Sequence, residues 1–400
     1  MGKPDVKLLM VTADNHNKFY NMHDNDNGTM TVTYGRVGSS SVEKDYPISD
    51  WDKKYSEKTK KGYKDVTKNT SQLKGFVACS DKELQQMLDY FYNVSRYTIA
   101  KETESVDISD SATLEAQTQL DIMAKTMDVV NPDQNTLNAF NKALLQLFII
   151  IPRKMKNVKD ALCKSLDDRN FYIQKEQTLL DNLVTMSKSR PNQSGTETLD
   201  SAFGFRFGKC TDEEIEFIKK KITDCGISGA KFSRAWTVFN GQREAGFAEY
   251  LANNKLAKND NNIKLYWHGT DPTRILSIMA TGLGIGYACN GCYGRGIYNA
   301  PKINKALGYA SYDNNPDGKR VTYMFINAVI TGNVFMVHGT STHYGAYSVG
   351  NMDGEKFSSA DLGYHSIESD WGRGKGDPGS EAIVYNQNQV ACKYLVELNY

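Results

Sequence analysis

The chain carries no excess of either charge: 48 basic side chains face 47 acidic ones, leaving +1. No long-range field therefore draws it to a polyanion, and any such site has to be a local concentration of lysines. Cysteine is sparse and mostly scattered singly. The seven cysteines, an odd number with only Cys289 and Cys292 close together, exclude a disulfide framework and favour a reducing compartment. A single Cys-x-x-Cys without two further nearby ligands is weak evidence for zinc, so no metal is expected. Long apolar runs are missing as well: the longest, Phe148 to Ile151, is far short of the roughly 20 residues that cross a bilayer. The opening residues lack a signal-peptide pattern, and Val6 stands where myristoylation of Gly2 wants Ser or Thr. No membrane partner is expected, and no internal repeat is visible.

What is present divides into three. With 40% apolar residues, 400 residues can fill two or three cores of roughly 100 to 200 residues each. Residues 1–79 show short alternating stretches at Val6 to Val11 and Thr31 to Val37, split by the turn-rich Asp24-Asn25-Asp26-Asn27-Gly28, and predict a small antiparallel sheet. A helix follows in which Trp51 and Tyr55 share a face, and Lys53 to Lys74 holds eight lysines against Glu57 and Asp65. This is the one basic concentration in the chain.

Ser80-Asp81-Lys82-Glu83 reads as a capping box opening a helix with Leu84, Met87, Leu88, Phe91 and Val94 on one face. Further helical patterns at Leu114 to Met127, Leu137 to Ile151 (stopped by Pro152) and Phe171 to Met186 make residues 80–190 an all-helical domain. The polar run Ser187 to Gly195 reads as a linker. Residues 196–400 then mix β-rich runs at Lys264 to Trp267, Val321 to Ile330 and Ala391 to Leu398 with helical stretches at Asp212 to Ile222 and Pro272 to Met279. The fold class expected is multidomain α+β.

Three strings in this last segment carry a resemblance: Leu265-Tyr266-Trp267-His268-Gly269-Thr270, Gly294-Arg295-Gly296-Ile297-Tyr298-Asn299-Ala300 and Ser380-Glu381-Ala382-Ile383-Val384-Tyr385. Their order and separation resemble the His-Tyr-Glu triad of the poly(ADP-ribose) polymerase catalytic domain. The resemblance implies NAD⁺ as a consumed substrate and no metal. It implies that His268 hydrogen-bonds the nicotinamide ribose, that the Gly269 backbone holds the carboxamide beside Thr270, and that Tyr298 and Tyr309 sandwich the pyridinium ring. Glu381 then stabilises the oxocarbenium and polarises the acceptor hydroxyl. Lys305 and Tyr309 match the helix after the Tyr string, and Ala306 falls where the family usually has a Ser that bonds the carboxamide. The connection from Leu283 to Gly294 is shorter than the family's usual loop.

The N-terminal segment resembles the WGR domain through Asn17-Lys18-Phe19-Tyr20 and Thr33-Tyr34-Gly35-Arg36-Val37-Gly38, with Tyr34 in place of the naming tryptophan. Tyr34, Arg36, Lys61, Lys64 and Lys68 are its expected DNA-binding residues, stacking on a sugar or base and reaching phosphate. The literal Trp371-Gly372-Arg373 lies in a glycine-rich stretch and is assigned no DNA role. Residues 80–190 resemble the regulatory helical domain of the same family, which implies an autoinhibitory gate. The expected partners are DNA strand breaks and protein acceptors including the chain itself, acting as a monomer. The expected address is nuclear in a eukaryote and cytoplasmic otherwise. The alternatives are mono-ADP-ribosylation and a DNA-binding scaffold whose transferase site has decayed. A toxin-like arginine-specific transferase is disfavoured because Gly379 stands where that class has Glu.

Overall fold

The computed structural model describes residues 2–69, 81–103, 108–188, 205–225, 227, 229–285, 290–291, 293–337, 343–344, 347–348, 363–370 and 379–400. It divides into two compact units, Met1–Lys74 with Arg96–Ser187, and Gly75–Ser95 with Lys188–Tyr400. Among the described residues no helix is long and apolar enough to cross a membrane. Ser80, Cys289, Cys292, Trp371, Gly372, Arg373 and most of the expected linker lie outside the described residues.

The first unit opens with strands β1 (Val6–Thr12), β2 (His16–Asp24), β3 (Thr29–Arg36) and β4 (Ser41–Pro47), helix α1 (Trp51–Lys60) and the short β5 (Lys64–Asp65). They form a five-stranded antiparallel sheet in the order β4-β3-β2-β1-β5. Alternation puts Leu8, Tyr20, Met22, Met30 and Val32 on one face, and Trp51 of α1 is buried against them. The turn between β2 and β3 needs backbone at positive φ, supplied by Asp26 (φ 55) and Gly28 (φ 86). Two lysines of the basic helix lie over rings of the sheet: Lys54 Nζ is 4.0 Å from the Tyr46 centroid and Lys58 Nζ 4.1 Å from that of Tyr20. Burial pushes the Lys58 amine below its ordinary value.

The helices are α2 (Lys82–Glu102), α3 (Asp110–Lys125), α4 (Gln134–Ile150), α5 (Val158–Ala161) and α6 (Arg169–Lys188). Asp133 caps α4 in a reciprocal pair with Thr136, and Pro152 follows the helix end as the sequence predicts. The β-module and the segment after α4 share hydrogen bonds, one buried and one partly so. Asn17 Nδ2 donates to the Arg153 carbonyl at 2.9 Å, and Asn15 Oδ1 accepts from the Val158 N–H at 2.9 Å. Arg153 in turn forms a buried ion pair with Glu176 of α6.

Helix α2 crosses the border between the units, its residues up to Ser95 counting with the second. Its start is capped by Asp81, whose carboxylate accepts from the N–H groups of Glu83 (3.0 Å) and Leu84 (3.2 Å). Leu84, Met87, Leu88 and Phe91 sit in one core with Phe205, Trp236, Ile275, Tyr323, Phe325 and Leu395.

The rest of the second unit contains β6 (Phe205–Lys209), α7 (Asp212–Thr223), β7 (Lys231–Asn240), α8 (Gly241–Asn253), β8 (Ile263–Gly269), α9 (Ile275–Thr281), β9 (Asn290–Gly291) and β10 (Gly294–Arg295). There follow β11 (Ile297–Asn299), α10 (Ile303–Leu307), β12 (Tyr312–Asn314), β13 (Arg320–Ile330), β14 (Val334–Val337), β15 (His343–Tyr344), β16 (Tyr347–Ser348), β17 (Ser366–Ser369), β18 (Glu381–Val384) and β19 (Val390–Asn399). One sheet runs β12-β13-β19-β7-β6 with β8 also on β13, and a second runs β11-β18-β17-β14. β13, central and apolar on both faces, is buried from Val321 to Ile330.

A carboxylate lies deep in this unit. Glu397 of β19, wholly buried, accepts from Arg234 Nε (3.0 Å) and Nη2 (2.9 Å), from Ser233 Oγ (2.8 Å) and from the Tyr323 hydroxyl (3.0 Å). Burial raises its pKa, but these donors outweigh it and hold the carboxyl below its ordinary value. Nearby, Tyr90 of α2 donates to Asp313 at 2.7 Å.

Candidate active site

The three sequence strings converge. His268 lies near the end of β8, which is fixed on one edge by β13 (Phe325 opposite His268). On the other side, Trp267 exchanges two 2.8 Å backbone hydrogen bonds with Ala300, just past β11. That bridge brings Tyr298 beside His268, whose Nδ1 is 2.9 Å from the Tyr298 carbonyl oxygen. A carbonyl only accepts, so Nδ1 carries the hydrogen and Nε2 is the acceptor. Burial, aided by the neighbouring Arg274 charge and opposed by the Tyr298 bond, depresses the imidazole pKa, so the ring is neutral at neutral pH.

β11 pairs antiparallel with β18, Tyr298 opposite Ile383, two residues from Glu381 and on the same sheet face. Glu381 is buried, and Lys305 of α10 places Nζ 3.1 Å from its carboxylate. Burial alone would lower the Lys305 pKa; the hydrogen bond and charge of Glu381 reverse that and hold it above its ordinary value. The same ammonium lies 5.8 Å from the ring centroid of Tyr309, which is 63% exposed and so presents an open face.

Gly269 and Gly296 are required by close approach. A Cβ on Gly269 would come within 1.9 Å of the Ala306 carbonyl oxygen, so the backbone of β8 rests directly on α10. On Gly296 it would meet Ile383 Cγ2 at 2.4 Å. Thr270 is buried at the end of β8. His268, Gly269, Tyr298, Lys305, Ala306, Tyr309 and Glu381 thus form one constellation. Three residues that the sequence reading did not assign to the site join it: Tyr293, Ser369 and Tyr385. The alternation of Glu381 and Ile383 along β18, continued by Tyr385 just past its end, is the signal that points to Tyr385. Among the described residues no group of three His, Cys, Asp or Glu side chains is placed to hold a metal.

Of the residues expected to meet DNA, Tyr34 and Arg36 lie on β3 and Lys64 on β5, while Lys61 follows α1 and Lys68 sits in the turn after β5. Tyr34 of β3 stacks on Tyr20 (centroids 6.0 Å, 29° between planes). The Arg36 guanidinium donates to the carbonyls of Asn15 (3.2 Å), Met155 (3.3 Å) and Lys156 (2.5 Å) and to Asn15 Oδ1 (2.8 Å). Lys61, Lys64 and Lys68 are exposed, and β2 and β1 stand between β3 and the edge strand β5 that carries Lys64.

A neutral histidine, an exposed tyrosine ring beside a lysine, and a buried carboxylate paired with that lysine lie along a wall that two glycines keep narrow. Residues 213–400, a little under half of the chain, match the poly(ADP-ribose) polymerase catalytic domain, so this part of the chain is similar to that family. Among individual proteins the chain is similar to uncharacterized protein 101L of Invertebrate iridescent virus 6, 34% identical over 214 residues that make up 52% of this chain and 87% of the viral one. It is 26% identical over 290 residues to poly(ADP-ribose) polymerase 1 of Gallus gallus, covering 64% of this chain and 27% of the other. It is 34% identical over 95 residues to protein mono-ADP-ribosyltransferase PARP3 of Mus musculus, 24% of this chain and 17% of that one. The chain therefore spans only a fraction of the two vertebrate relatives.

Proposed function

We propose that the protein is a DNA-break-stimulated ADP-ribosyltransferase that builds poly(ADP-ribose) on protein acceptors, itself included. The observation that carries this reading is the joint placement of His268, Tyr298 and the Lys305–Glu381 pair around one wall. Nε2 of the neutral His268 accepts a hydroxyl hydrogen of the nicotinamide ribose. The Gly269 backbone faces the carboxamide, and the Tyr298 and Tyr309 rings hold the pyridinium between them. The bond from C1′ to the ring nitrogen breaks, its electron pair leaves with nicotinamide, and the sugar becomes oxocarbenium-like. The Glu381 carboxylate stabilises that charge and accepts the proton of the attacking acceptor hydroxyl.

The five-stranded module is the break sensor in this reading, with Lys61, Lys64 and Lys68 meeting phosphate and Tyr34 meeting an exposed sugar or base. Arg36 acts within the same unit, joining β3 to the loop after α4, so that a change at the sheet reaches the helices through hydrogen bonds already in place. The helical segment then serves as the autoinhibitory gate. Labelled NAD⁺ given to the full chain with nicked duplex should yield a ladder of polymer on the protein. Ala306 and the similarity to a mono-ADP-ribosyltransferase favour a second reading, for which the same gel shows a single modified band. An unmodified protein would overturn both.

A further inference from the structure

Tyr293, buried in the turn before Gly294, hydrogen-bonds to residues of two strands, β11 and β17, and to the residue just past β18. Its backbone N–H donates to the Tyr298 hydroxyl at 3.0 Å, while that hydroxyl donates to the Gly294 carbonyl at 2.8 Å. The Tyr298 hydroxyl is thereby engaged both as acceptor and as donor, which fixes the ring's orientation. The Tyr293 carbonyl accepts from the Tyr385 hydroxyl, one residue beyond β18. Its own hydroxyl meets Ser369 Oγ, and Ser369 is the residue of β17 directly opposite Glu381. Opposed residues of an antiparallel pair place their side chains on one face. A single side chain thus touches the partner of the carboxylate, while its main chain locks the ring.

We propose that Tyr293 is a positioning residue that sets the Tyr298 ring and the Glu381 carboxylate at a fixed separation, with Ser369 as its contact on the carboxylate side. This rests on the roles given above to Tyr298 and Glu381. The two connections are separable. Tyr293→Phe removes the phenol oxygen and its Ser369 bond but leaves the backbone bonds to Tyr298 and Tyr385. Ring stacking, a ground-state interaction, is therefore kept, and placement of the carboxylate, needed as charge develops, is loosened.

The test is steady-state nicotinamide release by the full chain with NAD⁺ and nicked duplex, for wild type, Tyr293→Phe, Ser369→Ala and the double variant, each checked by thermal melting. The expected result is a fall in kcat of about 10-fold for each single variant, since misplacing a catalytic group by 1 Å can cost about 100-fold. KM should stay within about twofold, and the double variant should be no worse than either single one, as for two ends of one contact. Unchanged kcat, a rise confined to KM, or multiplicative losses in the double variant would overturn the proposal. Should Tyr293→Phe fail to fold, Ser369→Ala carries the same decision. A wild type that releases no nicotinamide refutes the functional reading instead, so the two failures are distinguishable.

Discussion

Lys305 Nζ and the Glu381 carboxylate form a 3.1 Å ion pair in which the acid is almost wholly buried and the base partly so. Such a carboxylate is costly to leave unpartnered. Lys305→Met should therefore destabilise the second unit by roughly 1–3 kcal/mol. Glu381→Gln keeps an oxygen acceptor for Lys305 and should melt close to wild type. It should nonetheless lose roughly 100-fold or more in nicotinamide release, as expected when a preorganised charge is removed. Equal loss of stability and activity in Glu381→Gln would contradict the role assigned to the carboxylate.

The depressed pKa of His268 gives the pH dependence a definite sign. The ring is neutral in the folded protein, and protonation would turn Nε2 from acceptor into donor. kcat/KM for NAD⁺ should stay flat as pH falls through the ordinary histidine value of about 6.5 and drop only at lower pH. The stability contribution is whole above the unfolded-state value and is lost as pH falls toward the lowered folded value. His268→Gln should therefore be less acid-sensitive than wild type by thermal melting as pH falls below about 6.5.

Gly269→Ala places a methyl carbon 1.9 Å from the Ala306 carbonyl oxygen, an atom of the backbone that cannot swing aside. β8 and α10 would have to part. A loss of about 1–3 kcal/mol is expected, with NAD⁺ affinity falling further because the His268 and Lys305 supports separate. Isothermal titration and chemical denaturation measure the two effects.

Glu397 and Arg234 are a structural pair. Arg234→Met strands a wholly buried carboxylate and should cost about 3–5 kcal/mol in the stability of the second unit. Because the folded pKa of Glu397 is held low, that stability is present above the ordinary carboxylate range and is lost as pH falls below it. Tyr90→Phe should cost about 1 kcal/mol, and a fragment beginning at residue 196 should be far less stable than one retaining the α2 residues Leu84 to Phe91, which share its core.

Arg36 and the lysines make opposite predictions. Lys64→Ala and Lys68→Ala should each lower the salt dependence of DNA binding by about one counterion in slope. Arg36→Ala should leave that slope unchanged, yet lower the melting temperature of the first unit and weaken DNA stimulation. Fluorescence anisotropy at several salt concentrations separates the two behaviours.

Much of this site is legible in the chain itself, because local strings carry it: His268-Gly269 at a strand end, Tyr298 after a glycine turn, Glu381 before an apolar run. The capping chemistry at Asp133 and the stop at Pro152 are local as well. What escapes is set by distant partners. Nothing near Glu397 in the chain marks it as buried and paired, since β7 brings Arg234 to it from more than 160 residues away. β7 itself, Lys-Phe-Ser-Arg-Ala-Trp-Thr-Val-Phe-Asn, is polar enough at its start to hide its period. Arg36 has the look of a phosphate ligand, but the carbonyls of Met155 and Lys156 are not neighbours in sequence. Helix α2 has the apolar face of a bundle helix, and only the fold shows that Leu84 to Phe91 meet Trp236 and Phe325. Tyr293 is invisible for the same reason: Ser369 and Tyr385 are far from it in sequence.

The most direct test is release of free nicotinamide from NAD⁺ by the purified full chain, measured with and without nicked duplex DNA. The expected result is a low basal rate that the broken duplex raises at least several-fold, and that Glu381→Gln lowers roughly 100-fold or more in both conditions. Folded protein that liberates no nicotinamide in either condition would contradict it.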